Sequence, residues 1–501
     1  MLLDNSIEYW SSKVPAKTAI IADGKKYSYA DLWLSVKKFA SWVAFNTKTN
    51  ARIGILLENC PETIFAVYGV IRAGRISVPI DVDIHERNLR YIIDDCSIET
   101  IITSSKGMEK LANIRGGIIK NVIVVNGDGP DLDFNKIISE YDVENEFSPD
   151  FENDIPALIL YTTGTTGPQK GVVLSHFNLL EATKNINQFM QIKSDIIESL
   201  PMRLSHSFGF ARLRSAFSVG GTVILENGFL RPEKIIFNMK KHYANAISSV
   251  PAGFAILLDY YQNFFKEICD KIKYIEIGSA TMRQSHKDLL MELCSKARIC
   301  MHYGLTEASR AAFIEFHSDK EKLNTVGKAS PNVLIKIVDD EGINLGIDKQ
   351  GNILVKGNMV TNKYFNKDHQ TNQSIKNGWL NTGDIGMIDN CGYLHLLGRK
   401  KEIINVGGLK VAPGEIEQVL LKHPDIIEVG VIGKPSEDLN MESVCAYIVT
   451  ENRNINLKDI NNFCIEELET YKLPKKISII KSLPRTSSGK VQRHLLKEIQ
   501  D

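Results

Sequence analysis

Short apolar runs alternate with amphipathic segments along most of the chain. RIGILLEN (52–59) and RISVPID (75–81) read as buried strands on either side of PETIFAVYGVIRAG (61–74), which reads as a helix. ERNLRYIIDDCS (86–97) is helical in pattern, and IETIITSS (98–105) and KNVIVVNG (120–127) are extended. A polar, acidic stretch at 127–154 reads as a loop. The alternation resumes with TVILENG (222–228), NAISSVP (245–251), YIEIGSA (274–280) and ARICMHYG (297–304). Buried strands separated by helices imply right-handed crossovers and a largely parallel sheet. Two of these strands end in small or hydroxyl residues at the carboxyl edge, where open α/β sheets bind ligands. Residues 325–398 differ: VGKASPNVLIKIVDDEG, GNILVKG and GYLHLLG are short strands with Gly turns and little helix. After GRKKE (398–402) a smaller α+β unit follows, with helices at GEIEQVLLKHP and LKDINNFCIEELETY and strands at EVGVIGKP and SVCAYIVT.

Length makes this more than one domain, because 501 residues exceed the roughly 250–300 at which single cores stop growing. Charge removes some partners. Lys+Arg and Asp+Glu are equal at 60 each, so no global field draws the chain to nucleic acid or to a membrane surface. The eight cysteines include no CxxC pair and read as reduced core thiols, not as a disulfide framework or zinc site. The start, MLLDNSIEYWSSKVP, lacks a basic region followed by an apolar run, and no apolar stretch approaches about 18 residues. The expectation is a cytoplasmic protein without membrane insertion.

Candidate chemistry first appears at YTTGTTGPQKG (161–171). A Walker loop needs GxxxxGK[ST] with a helix behind it. Here Gly164, Gly167 and Lys170 are spaced GxxGxxK, and Gly171 and a β-like VVL follow. That is a strand–loop–strand hairpin, which disfavours a P-loop kinase or NTPase. The glycines let backbone N–H groups converge on an anion, Thr162, Thr163, Thr165 and Thr166 add rotatable donors, and Lys170 adds a cation. A solvated Gly/Thr hairpin has the same composition, so the loop alone does not decide.

Four further segments do. HYGLTEAS (302–309), NTGDIGMID (381–389), GRKKEIINVGGLKVAPGEIE (398–417) and LPRTSSGKVQR (483–493) follow the loop in this order. With YTTGTTGPQKGVVLSH (161–176), they resemble the adenylate-forming superfamily of acyl- and aryl-CoA ligases, peptide-synthetase adenylation domains and firefly-luciferase-like enzymes. The resemblance spans essentially the whole chain. It implies an α/β fold with a large N-terminal domain (1–399) of doubly wound sheets and a small β-barrel-like subdomain at about 325–398. A small mobile α+β C-terminal domain (400–501) would follow, hinged at Lys401.

The resemblance also implies roles. Such enzymes join a carboxylate to AMP, release pyrophosphate, and pass the acyl group to a thiol or another nucleophile, with ATP, Mg2+ and often coenzyme A as reactants. The opening loop would hold the departing phosphates, Glu307 would hold Mg2+, and Thr306 would meet the α-phosphate. Tyr303 would stack on adenine with Gly278, Ser279 and Ala280 opposite; Asp384 would accept from the ribose hydroxyls, and Arg399 would reach ribose or phosphate. Lys490 would bridge the carboxylate and α-phosphate in the transition state. Gly407 and Gly408, in VGGLK (406–410), would let a pantetheine arm pass. His206, Phe208, Gly253 and His302 would line the acyl pocket.

Two departures bear on the substrate and a third on the acceptor. Peptide-synthetase domains place an aspartate near LSHSFGF (204–210) to pair an α-amine, yet residues 201–218 contain no acid and include Arg203, Arg212 and Arg214. This disfavours α-amino acids. His302 stands where the family usually has a small residue, so the imidazole should shorten the pocket or hydrogen-bond a polar substituent. A small, aryl or cyclic acid is expected over a long fatty acid. No basic cluster for the 3′-phosphate of coenzyme A stands out, so a carrier-protein thiol supplied in trans or an amine remains an alternative acceptor. A luciferase-like oxygenase is the remoter one.

Overall fold

A computed structural model of the protein describes residues 2–114, 117–127, 131–143, 154–162, 169–406, 409–435, 442–452, 455, 457–485 and 491–499. Among the described residues, two large mixed sheets dominate, one of nine strands and one of eight. Ile197–Leu200, Ala246–Ser249, Tyr274–Ile277 and Arg298–Tyr303 are consecutive parallel neighbours in the first sheet. Parallel alignment puts all four carboxyl ends on one edge. The segments that carry His206, Gly253, Gly278 and Leu305–Glu307 leave from that edge, and Tyr303 ends the last strand.

The second sheet repeats the arrangement. Arg52–Leu57, Ile76–Asp81 and Pro156–Thr162 run parallel, and Lys170–Ser175 closes back antiparallel on Pro156–Thr162. Thr162 pairs with Lys170 at the tip, so the strand–loop–strand reading of 161–174 stands. One continuous apolar core runs through both sheets, from Leu158 and Val172 to Tyr68, Phe210 and Phe217.

A curled antiparallel half-barrel follows, with Leu334–Val338, Gly351–Lys356, Trp379–Ile388 and Leu394–Arg399. Its last two strands place Asp384 directly opposite Arg399. The C-terminal α+β part packs helices Pro413–Leu420 and Leu457–Glu467 on the sheet of Glu428–Pro435, Glu442–Val449 and Lys476–Ile479.

The loop expected across 127–154 contains a helix, Phe134–Glu140. Asp133 caps it by accepting from the Lys136 N–H, and Phe134 and Ile137, three apart, are buried on one face. About two turns of helix with two apolar anchors is too short a repeat to stand out among acidic residues.

Candidate active site

Three groups of expected site residues meet in pairs. Tyr303, at the carboxyl end of Arg298–Tyr303, is buried and donates from its hydroxyl to Asp384 Oδ2 at 2.5 Å. Asp384 Oδ1 lies 2.9 Å from Arg399 Nε, while Arg399 Nη1 donates to the Thr382 carbonyl at 2.9 Å. Burial, followed by the Asp384 carboxylate, pushes the Tyr303 hydroxyl well above its usual range, so it remains a donor. Asp384 is almost fully buried, yet a carboxylate has lone pairs for further donors.

The second group surrounds Glu307. Tyr364 donates to Glu307 Oε1 at 2.9 Å, and the Lys170 ammonium sits 4.9 Å above the Tyr364 ring. Lys363–Tyr364 pairs with Lys170–Ser175, so the strand that carries the tyrosine bonded to Glu307 lies against the strand that leaves the hairpin. Glu307 Oε2 makes no hydrogen bond to the described residues. No cluster of three metal-ligating side chains occurs among them either. One carboxylate with a free oxygen fits Mg2+, which keeps waters and takes further ligands from substrate phosphates.

The third group holds the residues expected to line the acyl pocket. Phe208 and His302 meet edge to face at 4.8 Å between ring centres. Gly278 abuts the His302 ring, since a Cβ there would lie 2.1 Å from Cε1. Gly253 packs against Ser249 and Phe229, where a Cβ would meet Ser249 Oγ at 2.2 Å. His206 precedes helix Ser207–Ser218 and directs Nε2 at Asp81 Oδ2, 3.2 Å away. Ser279 adopts a left-handed backbone (φ 75°) beside Gly278, with Ala280 next in the same loop. Thr306 shares a small enclosed cavity with Ser207, Ser309 and Arg214.

Expectations at Thr163, Gly164, Thr165, Thr166 and Gly167, at Gly407 and Gly408, and at Lys490 lie outside the described residues. Lys401 lies in a short 3-10 turn, Lys400–Glu402, just past Arg399.

The two large parts of the chain match known sequences. Residues 7–365 match the AMP-binding enzyme family, and residues 415–490 match the AMP-binding enzyme C-terminal domain. The chain belongs to the AMP-binding enzyme family. Within this adenylate-forming family it groups with the acid–thiol ligases. It is 29% identical to an oxalate–CoA ligase of Arabidopsis thaliana over 99% of this chain and 98% of that protein. It is 28% identical to a 2-succinylbenzoate–CoA ligase of Bacillus subtilis (strain 168), over 97% and 95%. ATP-bound MatB from Rhodopseudomonas palustris superposes with a TM-score of 0.90 at 27% identity, covering 99% of each chain. The o-succinylbenzoate coenzyme A synthetase (MenE) of Bacillus subtilis, solved with ATP and magnesium ion, gives 0.86 at 26% identity over 98% and 99%.

Several residues of this AMP-binding fold escaped sequence reasoning. The three arginines of 201–218 do different things. Arg212 is fully buried between Glu198 and Glu276, at 2.8 and 3.0 Å. Arg214 is buried on Thr183 Oγ1 and the Leu179 carbonyl, and burial lowers it to about 9. Arg203 is the partly exposed one of the three, and it pairs with Asp81 and Asp83. The acid missing from 201–218 is thus supplied by another strand. Asp81 ends the buried run Ile76–Asp81, and an acid at the carboxyl end of a parallel strand was the available signal. Burial raises the Asp81 carboxyl, but hydrogen bonds from His206 and the Asp83 N–H, with Arg203, outweigh it and bring it down to about 2.

Proposed function

We propose that the protein is an ATP-dependent, AMP-forming ligase that adenylates a small, aryl or cyclic carboxylic acid without an α-ammonium. The acyl group then passes to a thiol, that of coenzyme A. The observation that carries the reading is the chain of contacts Lys170–Tyr364–Glu307 beside Tyr303–Asp384–Arg399. It joins the hairpin, the metal carboxylate and the ribose carboxylate of the expected site at the edges of two sheets. Relatives named as CoA ligases over nearly the full chain support the thiol step.

Attack of a carboxylate on the α-phosphorus brings anions together, and like charges at about 4 Å repel by roughly 4 kcal/mol at an effective dielectric of 20. A bond forms between a carboxylate oxygen and phosphorus, and the bond to pyrophosphate breaks. Lys170 and the hairpin hold the leaving phosphates; Asp384 and Tyr303 fix the nucleoside. Glu307 would hold Mg2+, which supplies positive charge at the phosphate oxygens. Lys490 neutralises the reacting oxygens. In the second step the thiol sulfur adds to the acyl carbon and AMP leaves, after the small domain has turned about Lys401. Asp81 is occupied by His206 and Arg203, which supports the exclusion of an α-ammonium.

A carboxylic-acid panel scored for pyrophosphate release, repeated with coenzyme A and thioester detection, tests this. Acid-dependent release with thioester formation is expected. Release without a coenzyme A thioester would transfer the second step to a carrier protein or an amine, and oxygen uptake would indicate an oxygenase. Lys490→Ala should lose adenylation yet still form thioester from supplied acyl-adenylate; equal loss of both would remove that role. Lys401→Pro should impair transfer more than pyrophosphate exchange, and unchanged half-reactions would remove the hinge.

A further inference from the structure

The acyl side of the cleft has a polar wall with a defined sense. Glu276 is fully buried on Tyr274–Ile277 and receives Arg310 Nε at 2.9 Å and Arg212 Nη1 at 3.0 Å. Arg212 is held in turn by Glu198, which also accepts from Ser248 Oγ at 2.7 Å. Two cations and two carboxylates therefore balance in a dry layer beneath His302.

His302 Nδ1 lies 2.7 Å from Glu276 Oε1, off the line of an ideal hydrogen bond. At that distance a nitrogen lone pair facing a carboxylate oxygen is repulsive, so the proton sits on Nδ1. Burial and the Arg310 charge lower the imidazole's proton affinity, outweighing Glu276, and the ring is neutral. Nε2 then carries the lone pair. It has no hydrogen-bond partner among the described residues, although the side chain is only 7% exposed. Gly278 packs closely against the ring beside it, where a Cβ would sit 2.4 Å from Nε2, so only glycine leaves the imidazole room to stand there. Phe208 and Phe313 hold the ring edge to face at 4.8 and 6.0 Å.

We propose that His302 Nε2 is a fixed hydrogen-bond acceptor in the acyl pocket and selects carboxylic acids whose acyl part carries a donor, a hydroxyl or an N–H. The proposal rests on the acid-ligase reading above and narrows its substrate class. A purely hydrocarbon acid would leave a nearly buried acceptor unpaired. A second carboxylate would face a lone pair backed by Glu276 and would bind less well than a neutral donor.

The full-length enzyme is assayed for pyrophosphate release with matched acids: benzoates bearing hydroxyl, amino, O-methyl, hydrogen or a second carboxylate at each ring position, and their aliphatic counterparts. The best donor acid should exceed its O-methyl and unsubstituted partners by roughly 10–100-fold in kcat/KM, mainly through KM. His302→Leu should bring those ratios to about one. His302→Gln, which can still accept, should restore part of the preference. Equal turnover of donor and O-methyl acids by the native enzyme, or preference for the second carboxylate, overturns the proposal and leaves the ligase reading intact. No acid-dependent release at all overturns the ligase reading itself. Because the native enzyme's panel decides, a variant that fails to fold does not shelter the proposal.

Discussion

Two carboxylate–histidine contacts belong to the proposed acyl pocket, one in the protein interior and one at its mouth. Glu276 and His302 are 2.7 Å apart with 0% and 7% of their side chains exposed; Asp81 and His206 are 3.2 Å apart with 11% and 30% exposed. The interior carboxylate collects three partners, Arg212, Arg310 and His302, and a second carboxylate, Glu198, balances the surplus charge. At the mouth, Arg203 and a backbone N–H suffice, because water shares the remaining charge. The same pair of residue types thus makes a rigid wall where solvent is excluded and an adjustable contact where it is not. The mouth contact also ties the end of Ile76–Asp81, in one sheet, to the loop after Ile197–Leu200, in the other.

The sharpest way to break that comparison is to remove the interior carboxylate. Glu276→Ala leaves two guanidinium groups facing a single glutamate with no water to relax into. Breaking one partner out of a buried ionic network costs about 3–5 kcal/mol, read as a lowered urea midpoint at unchanged slope. A loss below about 1 kcal/mol, the range of exposed pairs, would show that the interior network is solvated like the mouth and would remove the distinction.

A smaller and pH-dependent effect belongs to the mouth. The Asp81 carboxyl stands at about 2 in the folded protein against 3.8 for the unfolded chain. A lowered folded-state value stabilises above the unfolded value and fades as pH falls towards the folded one. Asp81→Asn should therefore cost roughly 2 kcal/mol above pH about 4, with the gap to the native protein closing between pH about 4 and 2. Paired urea titrations at pH 7 and pH 3 measure it. A gap that is constant over this range would mean that His206 and Arg203 do not hold the charge.

The interior and the mouth were unequally legible. The hairpin at Thr162 and Lys170 and the alternation of strand and helix were readable because they are local, set by glycine spacing and by apolar runs. Asp384 and Arg399 were each singled out, but not their direct pairing across two strands. Asp81 and His206 are 125 residues apart, and Glu307 and Tyr364 are 57 apart. No periodicity links such positions, since the fold alone brings them together. Glu276 was hidden in the same way: inside YIEI it reads as a strand residue, and only its three partners show why a charge is tolerated there.

The smallest expected effect tests whether Glu307 is held like the interior carboxylate or like that of the mouth. Tyr364 is nearly buried and donates to one Glu307 oxygen, and among the described residues the other oxygen has no donor. Tyr364→Phe keeps the ring beneath the Lys170 ammonium and removes only the hydroxyl. Glu307 can then turn or take a water, so stability should change by no more than about 1 kcal/mol. Orientation should suffer more than folding. Partners that hold a metal ligand typically account for 10–100-fold in metal affinity, so the Mg2+ concentration for half-maximal pyrophosphate release should rise about tenfold at the lower end of that range, with little change in KM for the acid. An unchanged Mg2+ requirement would place Glu307 with the adjustable contacts, set by the incoming phosphates and not by Tyr364.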